Sequence, residues 1–413
     1  MLFLAVILIP LTAYSQESAM PQPSYVTPRA DGNRISAGRG GLPSEPRRIE
    51  LPGRPEWVIG VESGAAWLVA LNDGQVIRVS ADGEFVENVA QRAAGQPPYV
   101  TSEGLLGAVE ADASPLGYAV NYEGIAYYVR DTDGRIVRAD DGRVWQKDAE
   151  ALADARLSIS EGGLLAVYVQ PTDRYPHGVF GDETEAGALQ VYDLRGGRFE
   201  LSGQVILPPE HVFEGLAPLW GDLDDDGVPE LITTVSDSFA GARIVVYALR
   251  PGTGAPGLFN LDVLAEGQAI GQGNRWRHQI AVGAFGPQGQ TELVVVRTPH
   301  IGGIVEFHRL EDGRLNILAT LSGYTSHEYR SRNLEMAQAG DFDGDGRVEL
   351  AVPTQDRAFL AGIIHDGETG AGREVWRVAL NGHAVSNLAS LTRSDGTLTV
   401  ALGLEENVLL VWD

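Results

Sequence analysis

The sequence predicts an all-β chain folded as a seven-bladed β-propeller of four-stranded blades, with six or eight blades as the alternative counts. Three observations predict it. Short β-branched and aromatic runs punctuated by Gly, Asp and Asn fill residues 47–413 and read as hairpins in series. The runs recur as aligned units roughly 50–60 residues apart, the spacing of a repeat architecture. Gly 51 and Pro 22 among 413 residues favour many turns over long helices, and no convincing helical period competes.

The first element is an address. Leu2 to Leu11 (LFLAVILIPL) is apolar but too short to span a bilayer, and Ala13-Tyr14-Ser15 places small residues before a cut ahead of Gln16. Residues 1–15 therefore read as a secretory signal peptide, although the run lacks a Lys or Arg before it. Export to the periplasm or cell exterior is expected. Residues 16–46, rich in Pro, Ser, Gly and Arg with no apolar period, read as a flexible linker ahead of a propeller domain at 47–413. No other stretch approaches the apolar length of a membrane helix, so no membrane span is expected.

Composition narrows the partners. The net charge of −25 excludes a nucleic-acid binder held by bulk attraction to phosphate and disfavours an anionic membrane surface. The absence of cysteine excludes disulfides, thiolate metal sites, a Cys nucleophile and Cys-linked lipidation. A monomer is expected.

Within the propeller region the repeats align. GDLDDDGVPELITTV begins at Gly221, GAFGPQGQTELVVV at Gly283, GDFDGDGRVELAVPT at Gly340 and SLTRSDGTLTVALG at Ser390. Each is an apolar strand, a turn at the same place and a second apolar strand, with two more strands before the next unit. Weaker copies stand at 157–169, 116–129 and 57–71, which makes seven. The last unit, 385–413, holds only three strands, whereas RRIELPG (47–53) is an orphan strand at the front. Pairing the two would seal a ring and leave no free sheet edge.

Two turns carry a chemistry the others lack. Asp222, Asp224 and Asp226 with Gly227 and Glu230 share their spacing with Asp341, Asp343 and Asp345 with Gly346 and Glu349. Alternate carboxylates in a tight loop converge on one point, the glycine permits the sharp turn, and the seventh position, Val228 or Arg347, offers a backbone carbonyl. Hard oxygens with a glycine hinge fit calcium, so two structural calcium sites are expected. An EF-hand needs Glu at position 12, where Thr233 and Val352 stand, and is rejected. The competing reading is a pair of solvated Asp-Gly turns. The aligned loops at Gly283 and Ser390 keep the hairpin without the charge.

The segments GDLDDDGVPELITTV and GDFDGDGRVELAVPT resemble FG-GAP (VCBS-type) repeats of integrin-α-like β-propellers. The resemblance implies that the DxDxDG loop lies between blade strands and binds calcium, and Glu at position 9 departs from the usual Asp. It is partial at 283–296 and 390–403 and weak before about residue 155. HDGETGAGREVWRV (365–378) and DTDGRIVRADDGRVWQ (131–146) resemble blades of quinoprotein-type propellers, a likeness that speaks to architecture only.

Cations gather ahead of the late repeats: Arg275, Arg277 and His278 around Trp276, then His327, Arg330 and Arg332 around Tyr329. His211 and His383 hold corresponding places. Loops entering innermost strands meet at one mouth of a propeller channel, so these side chains are candidates for an anionic or carbohydrate ligand. The plainer reading pairs each Arg with a carboxylate. No GxSxG elbow, HExxH, P-loop or dinucleotide fingerprint appears. The expected function is an exported, calcium-binding propeller acting as a non-catalytic binding or scaffold protein toward an anionic, carbohydrate or protein partner. The alternative is a carbohydrate-active lyase or hydrolase working at the Arg/His-rich mouth.

Overall fold

The apolar runs become strands in the computed structural model, which describes residues 29–413 except 62–65, 81, 84–85, 93, 98–111, 118, 141–142 and 253–256. The expected signal peptide and the linker as far as residue 28 lie outside the described residues. Among those described, strands form six hydrogen-bonded sheets, and no helix is long and apolar enough to cross a membrane.

The sheets follow chain order. Pro55–Val61, Ala66–Leu71, Gln75–Ser80 and Val86–Gln91 make the first, and Val120–Tyr122, Ile125–Val129, Ile136–Asp140 and Arg143–Lys147 the second. A nine-stranded sheet spans residues 158–266. In it the short strand His211–Phe213 joins the group Leu164–Thr172, Glu185–Asp193 and Glu200–Ile206 to the group Leu219–Gly221, Glu230–Asp237, Arg243–Pro251 and Phe259–Glu266. Arg277–Gly283, Glu292–Arg297, Ile304–Glu311 and Arg314–Ser322 follow, then Gln338–Asp341, Glu349–Pro353, Phe359–Asp366 and Ala371–Ala379. The final sheet takes Ala384–Thr392, Leu398–Leu404 and Val408–Trp412 from the end of the chain and Arg47–Glu50 from the beginning. In that antiparallel pair Arg47 lies opposite Val411 and Glu50 opposite Val408, which gives the orphan front strand its partner.

Position in each sheet explains the sequence pattern. Middle strands are covered on both faces by neighbouring sheets and read as continuous apolar runs, as in Glu230–Asp237 and Leu398–Leu404, buried at every position. The last strand of a unit is wet on one face and alternates, as in Phe259–Glu266. The first sheet packs on the last: Val58, Trp67, Val69 and Ile77 share a core with Ile49, Ala389, Leu409 and Val411. Across that seam the Asn387 side chain imitates a strand neighbour, accepting from Val58 N–H and donating to Val58 C=O, each at 2.7 Å.

The expected tether is corrected from residue 29 onward. Residues 29–42 cross the inner strands of successive sheets, and Ile35–Arg39 pairs in parallel with Gln338–Asp341. Backbone bonds run from Ile159 N to Ala30 O at 2.8 Å, Trp220 N to Asp31 O at 3.0 Å, Ala339 N to Arg34 O at 2.7 Å and Arg39 N to Gly396 O at 2.9 Å. The Asn33 side chain is clasped to Val282, donating to its C=O at 3.0 Å and accepting from its N–H at 3.1 Å. The physical reason is plain. Inner strands leave one edge of backbone donors and acceptors without a sheet partner, and a polar segment satisfies them without any apolar period of its own.

Candidate functional site

Both acidic loops join the first strand of a unit to its second, so backbone geometry fixes where their carboxylates stand. Gly227 at φ +85° and Gly346 at φ +91° turn the chain in the left-handed region, as the sixth position of each loop requires. In the second loop, Asp341, Asp343, Asp345 and Glu349 each bring one oxygen within 4.8 Å of the others. Backbone donors hold the set: Gly346 N to Asp341 Oδ2 at 3.1 Å, Asp345 N to Asp343 Oδ1 at 3.0 Å, and Arg347 N to Asp345 Oδ1 at 2.8 Å. Glu349 Oε1 accepts from Phe342 N, Asp343 N and Trp376 Nε1, each at 3.0 Å, which locks the carboxylate in place.

The electrostatics of that loop favour a cation. Two carboxylates 4.8 Å apart repel by about 3–4 kcal/mol at an effective dielectric near 20. Burial, reinforced by the charges on Asp343 and Asp341, pushes the Glu349 carboxyl up to about 8, against the pull of the Trp376 hydrogen bond. Asp341 Oδ1 is buried with no hydrogen-bond partner. An orphaned carboxylate oxygen beside three more hard oxygens fits a calcium ion.

The first loop is a partial copy. Asp222, Asp224 and Asp226 converge within 4.8 Å, and Glu230 is absent from that set. Glu230 Oε2 accepts from Leu223 N at 2.8 Å, the counterpart of the bond from Phe342 N to Glu349, and burial with the neighbouring Asp charges pushes its carboxyl up to about 7. Gly227 N donates to Asp222 Oδ2 at 2.9 Å and Val228 N to Asp226 Oδ1 at 2.8 Å.

The cations ahead of the late repeats do not converge on one cradle. Arg277 is buried and spent on Glu306 Oε2 at 3.0 Å and on the Ala242 carbonyl at 3.1 Å. Arg332 reaches Asp154 Oδ2 at 3.1 Å and Asp182 Oδ2 at 2.5 Å. Arg275 is exposed, and exposed Arg330 lies over the Tyr329 ring at 5.6 Å. His211 faces Asp237 at 3.4 Å, and His383 faces Glu406 at 3.1 Å. The pairing of Arg with carboxylate holds for Arg277 and Arg332.

His278 and His327 do come together, inside the fold and around Trp276. His278 accepts from Arg34 at 2.8 Å through Nε2 and meets Ser326 Oγ at 2.8 Å through Nδ1. Its ring stacks on Trp276 at 4.7 Å, and His327 meets the same indole edge-on at 5.4 Å. Burial, with the neighbouring His300 next, pushes His327 down to about 3, and burial with His177 beside it takes His300 to about 4. These folded values lie below the unfolded value near 6.5, so the stability belongs to the neutral form: it is whole above pH 6.5 and is lost as pH falls toward 4. We expect urea unfolding at pH 4.5 to show a deficit relative to pH 7 that shrinks by at least 1 kcal/mol in His327→Gln. An equal deficit in variant and wild type would refute the assignment.

Sequence reasoning missed three groups that complete this face. His177 lies in the long connection 173–184 and binds Glu214 through Nδ1, and Ser236 Oγ donates to the second Glu214 oxygen. His300 meets His327 at 2.5 Å. Behind them, Arg156 binds Glu335, which also lies 3.8 Å from Arg34. The unusual length of the 173–184 connection was the available signal. The Glu335 link joins residues too far apart in sequence to leave one.

No family model matches the chain, and no curated protein matches it. Among solved structures it is similar to the quinohemoprotein alcohol dehydrogenase from Comamonas testosteroni, with a TM-score of 0.56 at 11% identity over 96% of this chain and 81% of that one. A structure of U3-55K aligns at a TM-score of 0.42 and 11% identity over 90% of this chain and 99% of that one. At 11% identity the first likeness speaks to the fold, a β-propeller, and not to chemistry.

Proposed function

We propose that this chain is an exported, calcium-binding β-propeller of the FG-GAP/VCBS type that acts as a non-catalytic binding or scaffold protein. The observation that carries the reading is the second acidic loop, where four carboxylates face one another and the buried Asp341 Oδ1 lacks a partner. Seven blades follow if the nine-stranded sheet counts as two joined through His211–Phe213. The pairing of Arg47–Glu50 with Val408–Trp412 then supplies the missing strand of the last blade. A ring so closed is a rigid platform, and a cation at each acidic loop pins the first hairpin of its blade.

The binding role draws on the channel mouth. Arg277 and Arg332 are committed to carboxylates, and exposed Arg275 and Arg330 do not join them in one cradle, which favours a platform over a polysaccharide-cleaving site. The apolar run at residues 2–11 supports export. Calorimetric titration of the chelated protein is expected to give two calcium equivalents, one lost in Asp341→Asn and the other in Asp222→Asn. No heat of calcium binding in the wild type would overturn the reading. A screen against acidic polysaccharides is expected to show no turnover, and turnover abolished by Arg330→Ala would replace the platform with an enzyme.

A further inference from the structure

We propose that a cavity of about 620 Å³ beside the first acidic loop binds a small uncharged carbohydrate, so that the site rests on the reading of this chain as a binding protein and supplies its ligand class. Three equivalent turns build it. Residues 160–163, 222–229 and 284–291 each join the first strand of a unit to its second, and Ser160, Gly162, Asp222, Gly227 and Thr291 from these turns line one space. Arg29, Asp31 and Asn33 line it from the front segment. That segment is fixed: Asn33 is clasped to Val282, the Asp31 carbonyl accepts from Trp220 N at 3.0 Å, and Arg29 donates to Glu161 Oε1 at 3.0 Å. The cavity is thus formed before anything enters it, and its size falls among small-molecule sites of about 300–1,000 Å³.

Charge selects the class. The lining holds one cation, Arg29, against the carboxylates Asp31, Glu161 and Asp222, on a chain of net charge −25, so an anionic ligand is repelled. Nor are the carboxylates laid out for an organic cation. Asp31 Oδ2 accepts from Arg29 Nε and Oδ1 from Asn33 N, both at 2.9 Å, and Asp222 accepts from Asp226 N at 3.1 Å and Gly227 N at 2.9 Å. Arg29 already stands among them as the resident cation.

What remains in the wall is a mixture of donor and acceptors. Ser160 is 1% exposed; its Oγ accepts from Leu164 N at 3.1 Å, and its proton meets no acceptor among the described residues. A buried hydroxyl with nothing to donate to requires a partner, and a ligand oxygen supplies one. Thr291 Oγ1 donates to Asp225 Oδ1 at 2.6 Å and keeps its lone pairs, and Glu161 keeps Oε2 outside its bond to Arg29. Groups that both give and take a hydrogen bond match this set, and sugar hydroxyls do both. Trp220, Pro229 and Val282 add apolar wall for the C–H faces of a ring.

The test is calorimetric titration, in calcium-containing buffer, with disaccharides of like size and different charge: maltose, cellobiose and diacetylchitobiose as neutral probes, the glucosamine dimer as a cation and digalacturonic acid as an anion. Saturable binding of a neutral disaccharide at millimolar concentration is expected, with no heat from digalacturonic acid. Ser160→Ala is expected to weaken it by about 3–10-fold, the loss of one hydrogen bond. Gly162→Phe is expected to abolish it at an unchanged melting temperature: Gly162 is outside the left-handed region and a Cβ there meets only Ser160 Oγ, at 3.8 Å, so the ring enters the cavity wall without backbone strain. No heat from any neutral probe, tighter binding of either charged dimer, or neutral binding that survives Gly162→Phe would overturn the site. Cleavage of a bound disaccharide would keep the site and overturn the non-catalytic reading; calcium uptake without neutral binding would do the reverse.

Discussion

Replacing Glu335 with Ala is expected to lower the unfolding free energy by about 3–5 kcal/mol, read from the midpoint of urea denaturation at constant slope. Glu335 is buried. It faces Arg156, whose side chain is 4% exposed, and stands 3.8 Å from Arg34 at 10%. Its second oxygen accepts from Leu334 N at 3.0 Å. Arg156 also donates to the Arg332 carbonyl, so one cluster ties the chain just ahead of the nine-stranded sheet, the connection ahead of residue 338 and the segment 29–42. Removing the carboxylate leaves the buried Arg156 and Arg34 guanidinium groups without its charge, and the cost of that burial outweighs the small volume lost. The companion experiment separates charge from packing. Arg156→Met with Glu335→Leu is expected to recover most of the loss, because a buried ion pair gains little over apolar groups of equal size. A loss below 1 kcal/mol in Glu335→Ala would mean that water reaches the cluster.

What the sequence revealed and what it hid divide along a physical line. Strands such as Ala66–Leu71 and Gln75–Ser80 were legible because their signal is local: apolar period, β-branched residues and an Asp-Gly turn between them. The acidic loops were legible for the same reason, since alternate residues of one tight turn must meet. Glu230 shows the limit of spacing. It occupies the same ninth place as Glu349 and caps Leu223 N as Glu349 caps Phe342 N, yet it stands outside the set of carboxylates that converge. Segment 29–42 looks like a tether in the sequence because a chain that bonds through its backbone to other strands' edges needs no pattern in its side chains. His177, Glu214 and His300 come from three connections, and Arg156 and Glu335 lie 179 residues apart. Charge partners so distant leave no period, and one sequence cannot show which of 56 carboxylates each arginine meets.

Chelation of the calcium-loaded protein is expected to lower its melting temperature by on the order of 10 °C, and added calcium to restore it. An ion present at one hundred times its dissociation constant stabilises the folded form by about 2.7 kcal/mol per site. The two loops will not share this equally. The second brings four carboxylates to one point, with Glu349 fastened by Trp376 Nε1 and two backbone donors, whereas the first brings three. Asp341→Asn is therefore expected to remove more of the calcium-dependent shift than Asp222→Asn. The second loop also anchors the front of the chain: Gly40 N donates to the Asp341 carbonyl at 2.7 Å, and Arg39 approaches the Asp341 carboxylate at 3.5 Å. A Cβ on Gly40 would lie 2.2 Å from the Phe342 carbonyl, so the two backbones are in direct contact. Loosening the loop must then loosen segment 29–42. Limited proteolysis after chelation is expected to cut near residues 39–46 before any other described part of the chain, and an unchanged melt together with an unchanged cleavage pattern would separate the acidic loops from any ion.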